Sequence, residues 1–248
     1  MALAVVPSLP HISVVGAVVT GTHGGCINCH EIAGYVTQMK IIDPNGKIKV
    51  VNKETPEFKS YLHSFGLLGV ITEMTMNVEP EYAVIKCIYE DLPWDFLQDY
   101  EKYTELMHSH EFLSFFTDWE YPKMTTTWLG EKVSMDYLKE NPNANPCKEK
   151  FLGAKLVNRA HPVPGQDPEN CVTSGVGIWS EKIYHFLPDK PPSSGGDELQ
   201  SEFFVPFDLF PEVLGKLYLL QPLFKDVLQI TEIRPIKKDD IPLSPAYM

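Results

Sequence analysis

The residues best suited to chemistry lie between Gly16 and His30, in the run GAVVTGTHGGCINCH. Gly21, Gly24 and Gly25 carry no Cβ, so bare backbone can approach a ligand and successive N–H groups can converge on an anion. The hydroxyls of Thr20 and Thr22 add donors, and His23 sits where a donor or a positive charge would help a pyrophosphate. Read this way the turn is a phosphate or cofactor cradle, although a tight strand-to-loop corner with no ligand would use the same residues. Its second half, Cys26, Cys29 and His30, has the CxxCH spacing of c-type haem attachment. Haem also needs a second axial ligand and a helical wrapping, which neither flank predicts, and zinc needs a further CxxC or HxxxH pair. Cys26 and Cys29 then read as small loop residues near the ligand.

Two later stretches could complete a site. In VLQITEIRPI, residues two apart on a strand share a face, so Leu228, Ile230, Glu232 and Arg234 point the same way. An apolar face that turns charged at its end can hold a substrate hydroxyl with the guanidinium and orient it with the carboxylate. A surface ion pair on an edge strand is the alternative. In GGDELQSEFFVP, Glu198, Gln200 and Glu202 alternate with Leu199, Ser201 and Phe203, giving a polar face that lines either a cavity or solvent.

The elements that must position these groups follow from the apolar patterning. Ile12 to Thr20 reads as a buried strand, Tyr35 to Asp43 and Lys47 to Asn52 as a hairpin about Pro44-Asn45-Gly46, and Val70 to Val78 as an alternating strand. Thr55 is placed to cap a short helix over Glu57 to Ser64. Beyond Pro80 the pattern gives a strand at Ala83 to Tyr89, a helix over Pro93 to His108, and strands at Glu111 to Trp119 and Thr125 to Leu129 joined at Tyr121-Pro122. Residues 141–146 and 161–196, rich in Pro, Gly, Ser and Asn, read as surface connections. A strand at Glu198 to Pro206, a helix at Phe207 to Leu220 and a strand at Val227 to Pro235 close an α+β chain. The order is that of a split βαβ, ferredoxin-like antiparallel sheet with helices on one face.

Composition limits the function classes. The chain of 248 residues is 44% apolar and carries a formal charge of −12, with Lys237 and Lys238 its one notable basic cluster, which argues against a nucleic-acid surface. No apolar run reaches the ~18 residues of a spanning helix, and the N-terminus has no basic n-region or cleavage site. Five irregularly spaced cysteines give no disulfide framework, so a reducing, cytoplasmic setting is expected.

Taken together, GAVVTGTHGG (16–25), FGLLGVITEMT (65–75), HPVPGQDPE (161–169), GDELQSEFFVP (196–206) and EIRPIKKDDIPLSPAY (232–247) resemble the FAD-dependent aldonolactone and alditol oxidases of the vanillyl-alcohol-oxidase type. The last three are most similar to the alditol branch. The resemblance implies part of a PCMH-type FAD-binding domain over residues 1–81, a cap domain over 82–235 and a return segment over 236–248. It implies cofactor contacts at Gly21, Thr22, His23, Gly24 and Gly25, at His30, Ala33, Gly34, Tyr35 and Val36, and at Ile71, with Glu232 and Arg234 meeting substrate. The implied reaction oxidises a primary alcohol of a polyol, or a sugar lactone, and reduces dioxygen to hydrogen peroxide. Gly25 departs from the alditol branch, which has serine there. The family's N-terminal flavin subdomain is expected before residue 1 and its His-Trp segment after Met248. A catalytically silent domain that binds a polyhydroxylated ligand or a partner chain without flavin is the alternative.

Overall fold

The computed structural model describes residues 1–120, 122–191 and 198–248. Tyr121 of the expected Tyr121-Pro122 turn, and the start of the polar stretch at 195–197, lie outside the described residues.

The valine run before the glycine turn is a helix, α1 (Val14–Val19), and not the expected strand. Ser13 decides this, since its side chain accepts from the Gly16 N–H and caps the first turn, while Ala17, Val18 and Val19 face the core. A short apolar run has the same hydropathy in either conformation, so patterning alone could not separate them. The first sheet follows: β1 (Val36–Ile42), β2 (Ile48–Asn52) and β3 (Val70–Met76), antiparallel in the order β2-β1-β3. Helix α2 (Phe58–Leu62) packs Phe58 and Leu62 into the same core as Met39, Ile41 and Val51. Thr55 does not cap it. Its hydroxyl is engaged by Asn52, accepting from the Asn52 N–H at 3.1 Å and reaching its Oδ1 at 3.3 Å, a local turn that outcompetes the cap.

The second sheet begins with β4 (Ala83–Glu90). The expected helix over 93–108 divides into α3 (Asp95–Gln98) and α4 (Tyr100–Met107), because Asp99 leaves helical geometry to accept from the Lys102 N–H and cap the second piece. Then come β5 (Phe112–Thr117), β6 (Thr126–Val133), α5 (Met135–Glu140), β7 (Lys150–Phe151), β8 (Ala154–Val157), β9 (Gly175–Ile178), α6 (Trp179–Lys182), α7 (Phe210–Phe224) and β10 (Thr231–Ile233). The order is β10-β5-β6-β4-β8-β7, with β9 also paired to β4, and all of the pairings are antiparallel. One face packs Leu113, Phe115 and Leu129 against Leu97, Leu106 and Leu214 of the helices. The fold class is thus α+β, with antiparallel sheets and helices on one face of the larger one.

Its other face overturns a second expectation. Ile88, Phe116 and Trp128 are covered by Ala160, Cys171, Val172 and Phe186, so residues 161–191 of the run 161–196 are not a mere surface connection, and they also contribute β9; residues 192–196 lie outside the described residues. Proline and glycine in that run mark its turns but say nothing about the burial between them. Conversely, residues 198–206 form no strand: Leu199 is 103% and Phe203 86% exposed, because alternation without a neighbouring edge to pair with gives no ladder.

The cysteine reading is also corrected. Cys26 bonds Cys29, and Cys87 on β4 bonds Cys147 across 60 residues, leaving Cys171 as a buried thiol. Long-range pairing depends on β4 meeting the segment after α5, which spacing does not reveal. No helix among the described residues is long and apolar enough to cross a membrane.

Candidate active site

The glycine turn is held against the chain's own backbone. After α1, the Thr22 N–H donates to Ala17 O at 2.9 Å, and Leu113 of β5 donates to Gly25 O at 2.8 Å. A Cβ at Gly24 would lie 2.5 Å from Val6 O, and one at Gly25 would lie 2.0 Å from Leu113 O. These two positions require glycine because backbone crosses backbone there. Among the described residues no main-chain carbonyl accepts from the N–H of His23, Gly24 or Gly25, so three consecutive donors remain for an anion.

Strand β10 brings the charged pair to this loop. Glu232 stands opposite Phe116 in register and therefore shares the sheet face of Phe116 and Trp128, not the helix-covered face. Arg234 is 13% exposed; its Nη1 lies 3.4 Å from Ser8 Oγ and from His23 O, its Nη2 3.4 Å from Glu202 Oε1, and its Nε 3.5 Å from Glu232 Oε1. Ser8 Oγ donates to Glu232 Oε1 at 3.2 Å. His23 Nε2 meets Glu202 Oε1 at 2.9 Å, and its ring packs edge-on to Phe204. The structure thus joins His23, Gly24, Gly25, Glu232 and Arg234 in one place, and adds Glu202, Ser8 and His185. Glu202 had a signal in the polar alternation of DELQSE; Ser8 and His185 had none, being brought in by the N-terminal segment and by the covering run.

The hydrogen bond from His23, with Arg234 adding its charge, holds the Glu202 carboxyl below its ordinary value of 4.5 against the opposing effect of burial. A depressed carboxyl stabilises the fold above its unfolded pKa, and that contribution is lost as pH falls through the folded value. Thermal stability is therefore expected to fall with pH below 4.5, and Glu202→Gln to remove part of that acid-side slope. Identical slopes in melts of the two proteins would show that the contact carries no linkage.

The remaining proposed cofactor contacts form a separate group. Gly21 adopts φ +69°, and a Cβ there would lie 3.0 Å from the His63 ring. Beneath it His63 Nε2 lies 2.9 Å from Glu31 Oε1, both residues buried, and Ser244 donates to Glu31 at 3.1 Å and to Asp239 at 2.7 Å. Burial raises the Glu31 carboxyl above its ordinary value. Thr22 shares a 3.3 Å hydroxyl contact with Thr20. His30 packs edge-on to Tyr35, with Gly34 against its Cβ. Ala33 and Val36 are buried, and Ile71 packs at the margin of the same core; these three can offer a ligand little but backbone. The Cys26 and Cys29 sulfurs are bonded to each other, and among the described residues no three His, Cys, Asp or Glu side chains converge as a metal site.

The charged pair on β10 thus stands beside the N–H groups of the glycine turn, and comparison with known proteins shows what the chain is similar to. No protein-family model matches the chain. It is 33% identical to the alditol oxidase of a Streptomyces species over 249 aligned residues, covering all of this chain and 56% of that protein. It is 30% identical over 131 residues to the D-arabinono-1,4-lactone oxidase of Saccharomyces cerevisiae, covering 51% of this chain and 24% of that one. A solved cholesterol oxidase from B. sterolicum superposes on 52% of the chain at 17% identity and a TM-score of 0.44. Its similarity is thus to alditol oxidase over its whole length and to aldonolactone oxidases over parts of it. It spans about half the length of the alditol oxidase that it matches.

Proposed function

We propose that this chain is the cap and one cofactor wall of an FAD-dependent oxidase acting on a primary alcohol of a polyol or on a sugar lactone, with dioxygen as electron acceptor. The observation that carries the reading is the Glu232–Arg234 pair fixed beside three loop N–H groups that no main-chain carbonyl among the described residues engages. In this reading residues 1–81 serve the flavin, 82–235 roof the site, and 236–248 return to the first unit, where Ser244 meets Glu31.

The fit to a flavin is partial. Three N–H groups at His23, Gly24 and Gly25 suit an anionic or carbonyl edge of the cofactor, but the space beside Gly24 and Gly25 is filled by Val6 and Leu113. Thr22 and Gly21 would extend the contact along the turn. When bound, the flavin supplies the two-electron acceptor for the alcohol carbon's hydride. The chain's residues bind and orient the alcohol. Arg234 contacts its four partners at 3.4–3.5 Å, the long end of hydrogen bonding, so a substrate oxygen can replace Ser8 or His23 O without removing the carboxylates that fix the guanidinium. Glu232, anchored by Ser8, can then accept the hydroxyl proton. The disulfides favour an oxidising compartment in place of the cytoplasm.

The closure of Gly24 and Gly25 favours a second reading, a flavin-free chain that binds a polyhydroxylated ligand or a partner chain. The absorption spectrum of the purified chain after incubation with FAD and gel filtration separates the two. Retained flavin bands are expected; a colourless protein that still binds a polyol would overturn the first reading for this chain.

A further inference from the structure

The return segment is fastened to the first unit by hydrogen bonds that do not balance when every carboxyl is ionised. Glu31 and His63 are each 1% exposed, and Ser244 and Asp239 are buried with them. Ser244 Oγ accepts from the Ala246 N–H at 3.0 Å and lies 2.7 Å from Asp239 Oδ2 and 3.1 Å from Glu31 Oε1. A hydroxyl has one hydrogen, so it serves only one of the two carboxyls. The shorter contact assigns it to Asp239, whose other oxygen accepts from the Ile241 N–H at 2.9 Å. The 3.1 Å contact then sets oxygen against oxygen with no hydrogen between them, unless Glu31 brings its own.

Among the described residues nothing else supplies that hydrogen. His63 Nε2 stands 2.9 Å from Glu31 Oε1 but off the line of a hydrogen bond, and it is left without a hydrogen-bond partner. The charged and titratable groups around the cluster are Lys59 and His63 from α2 and its end, Lys237, Asp239 and Asp240 from the return segment, and His30 beside Glu31 in the chain. Lys59 is engaged by Asp240. Among the described residues no lysine or arginine lies within ion-pair distance of Glu31 or Asp239. Two buried carboxylates bridged by one hydroxyl repel each other, and a proton on one of them relieves the repulsion.

Glu31 stands where α2, the glycine turn and the return segment meet. Its Oε2 and the His63 ring fill the space under Gly21, 3.4 and 3.0 Å from where a Cβ would lie. The next residue, Ile32, donates its N–H to Thr22 O at 3.2 Å. At its near end the return segment pairs Ile236 with Cys26 of the same turn. Beyond that it closes on itself, the Asp239 N–H donating to Ala246 O at 3.0 Å and the Met248 N–H to Asp239 O at 3.1 Å. We propose that Glu31 is held as a neutral acid that donates to Ser244, and that this proton latches residues 236–248 to the glycine turn, clasping the candidate site at acid pH and loosening it as pH rises. The latch rests on the cluster alone; that it regulates a cofactor site rests on the oxidase reading above.

Burial raises the Glu31 carboxyl above its ordinary value of 4.5, with His63 opposing and Asp239 adding to the rise. A carboxyl raised by docking favours the docked state fully below 4.5, and that contribution is lost as pH climbs from 4.5 through the raised value. The Glu202 contact has the opposite sign. A global melt mixes the two, so the readout must be local.

The test is amide hydrogen exchange over residues 239–248, expressed as protection factors from about pH 4 to about pH 8, in the unaltered chain, Glu31→Gln and Glu31→Ala. Protection in the unaltered chain is expected to fall about tenfold across that range. Glutamine offers an N–H in place of the acid's O–H, so Glu31→Gln should keep the segment protected to the same degree at every pH, while Glu31→Ala should lower protection about tenfold throughout. Level protection in the unaltered chain overturns the proposal, as does a glutamine variant that follows the unaltered profile or is as loose as alanine. Carbon-13 NMR of the Glu31 carboxyl in the unaltered chain needs no variant to fold: its midpoint is expected above 4.5, and a midpoint at or below that value overturns the proposal too. FAD affinity should fall about tenfold from about pH 5 to about pH 8 in the unaltered chain and stay level in Glu31→Gln, and affinity that is level in both overturns the regulatory part. Because exchange needs neither flavin nor turnover, a latched chain that binds no FAD would sink the oxidase reading alone. A chain that binds FAD without the latch would sink this one alone.

Discussion

Arg234→Ala is expected to lower kcat/KM on a polyol by about a hundredfold to a thousandfold in the flavin-loaded protein, with the flavin spectrum unchanged. The magnitude follows from what the side chain does. It contacts Ser8, the His23 carbonyl, Glu202 and Glu232 together, and in the proposed reading its planar fork would fix both the direction and the charge offered to a developing alkoxide. Removing it leaves Glu202 and Glu232 without their shared counter-ion, so some loss of stability accompanies the loss of turnover. The discriminating variant is Arg234→Lys, which keeps the charge but not the fork. If the role is orientation, lysine restores stability and little activity. If the role is purely structural, lysine restores both. Turnover within about threefold of the unaltered protein in Arg234→Ala would remove this residue from the site.

The same residues show how much the sequence could disclose. The Glu232–Arg234 pair was legible because a strand's period of two is rigid, and the structure keeps both on one face. That face could not be traced further back: Leu228 packs among the helices while Ile230 packs on the opposite side, because the regular strand covers only Thr231–Ile233. The antiparallel hairpins and the α+β order were legible from turn residues and alternation. What was not legible depends on distance along the chain. Ser8 reaches Glu232 across 224 residues, His185 comes from a run whose composition suggested surface, and Cys87 finds Cys147 only after β4 and the segment following α5 are placed. Local pattern reports how a segment is built, and it is silent on which distant segment covers it. Lys86 illustrates this most sharply: inside KCIYE it looks like the solvent-facing end of a strand, and only the covering run makes it a buried cation.

Gly25→Ser, which would restore the residue characteristic of the alditol branch, is expected to destabilise this chain by about 3 kcal/mol, read by chemical denaturation. A Cβ there would stand 2.0 Å from Leu113 O and 3.2 Å from the Arg234 side chain. The first contact is with backbone near the start of β5, which cannot rotate away as a side chain could. Leu113 also donates to Gly25 O at 2.8 Å, so relieving the clash means separating the loop from the strand that holds it. Gly46 gives the comparison. It has φ +74° with nothing within 4 Å of its absent Cβ, so Gly46→Ala should cost only the backbone penalty of about 1–2 kcal/mol. A serine at 25 that costs less than an alanine at 46 would mean that the loop stands off β5 in solution. The wall beside Gly24 and Gly25 would then be open, and the partial fit to a flavin would become a full one. If the large cost is found, the glycine is fixed by the chain's own packing, and any cofactor held here is held by the row of N–H groups at His23, Gly24 and Gly25 and not by a hydroxyl at position 25.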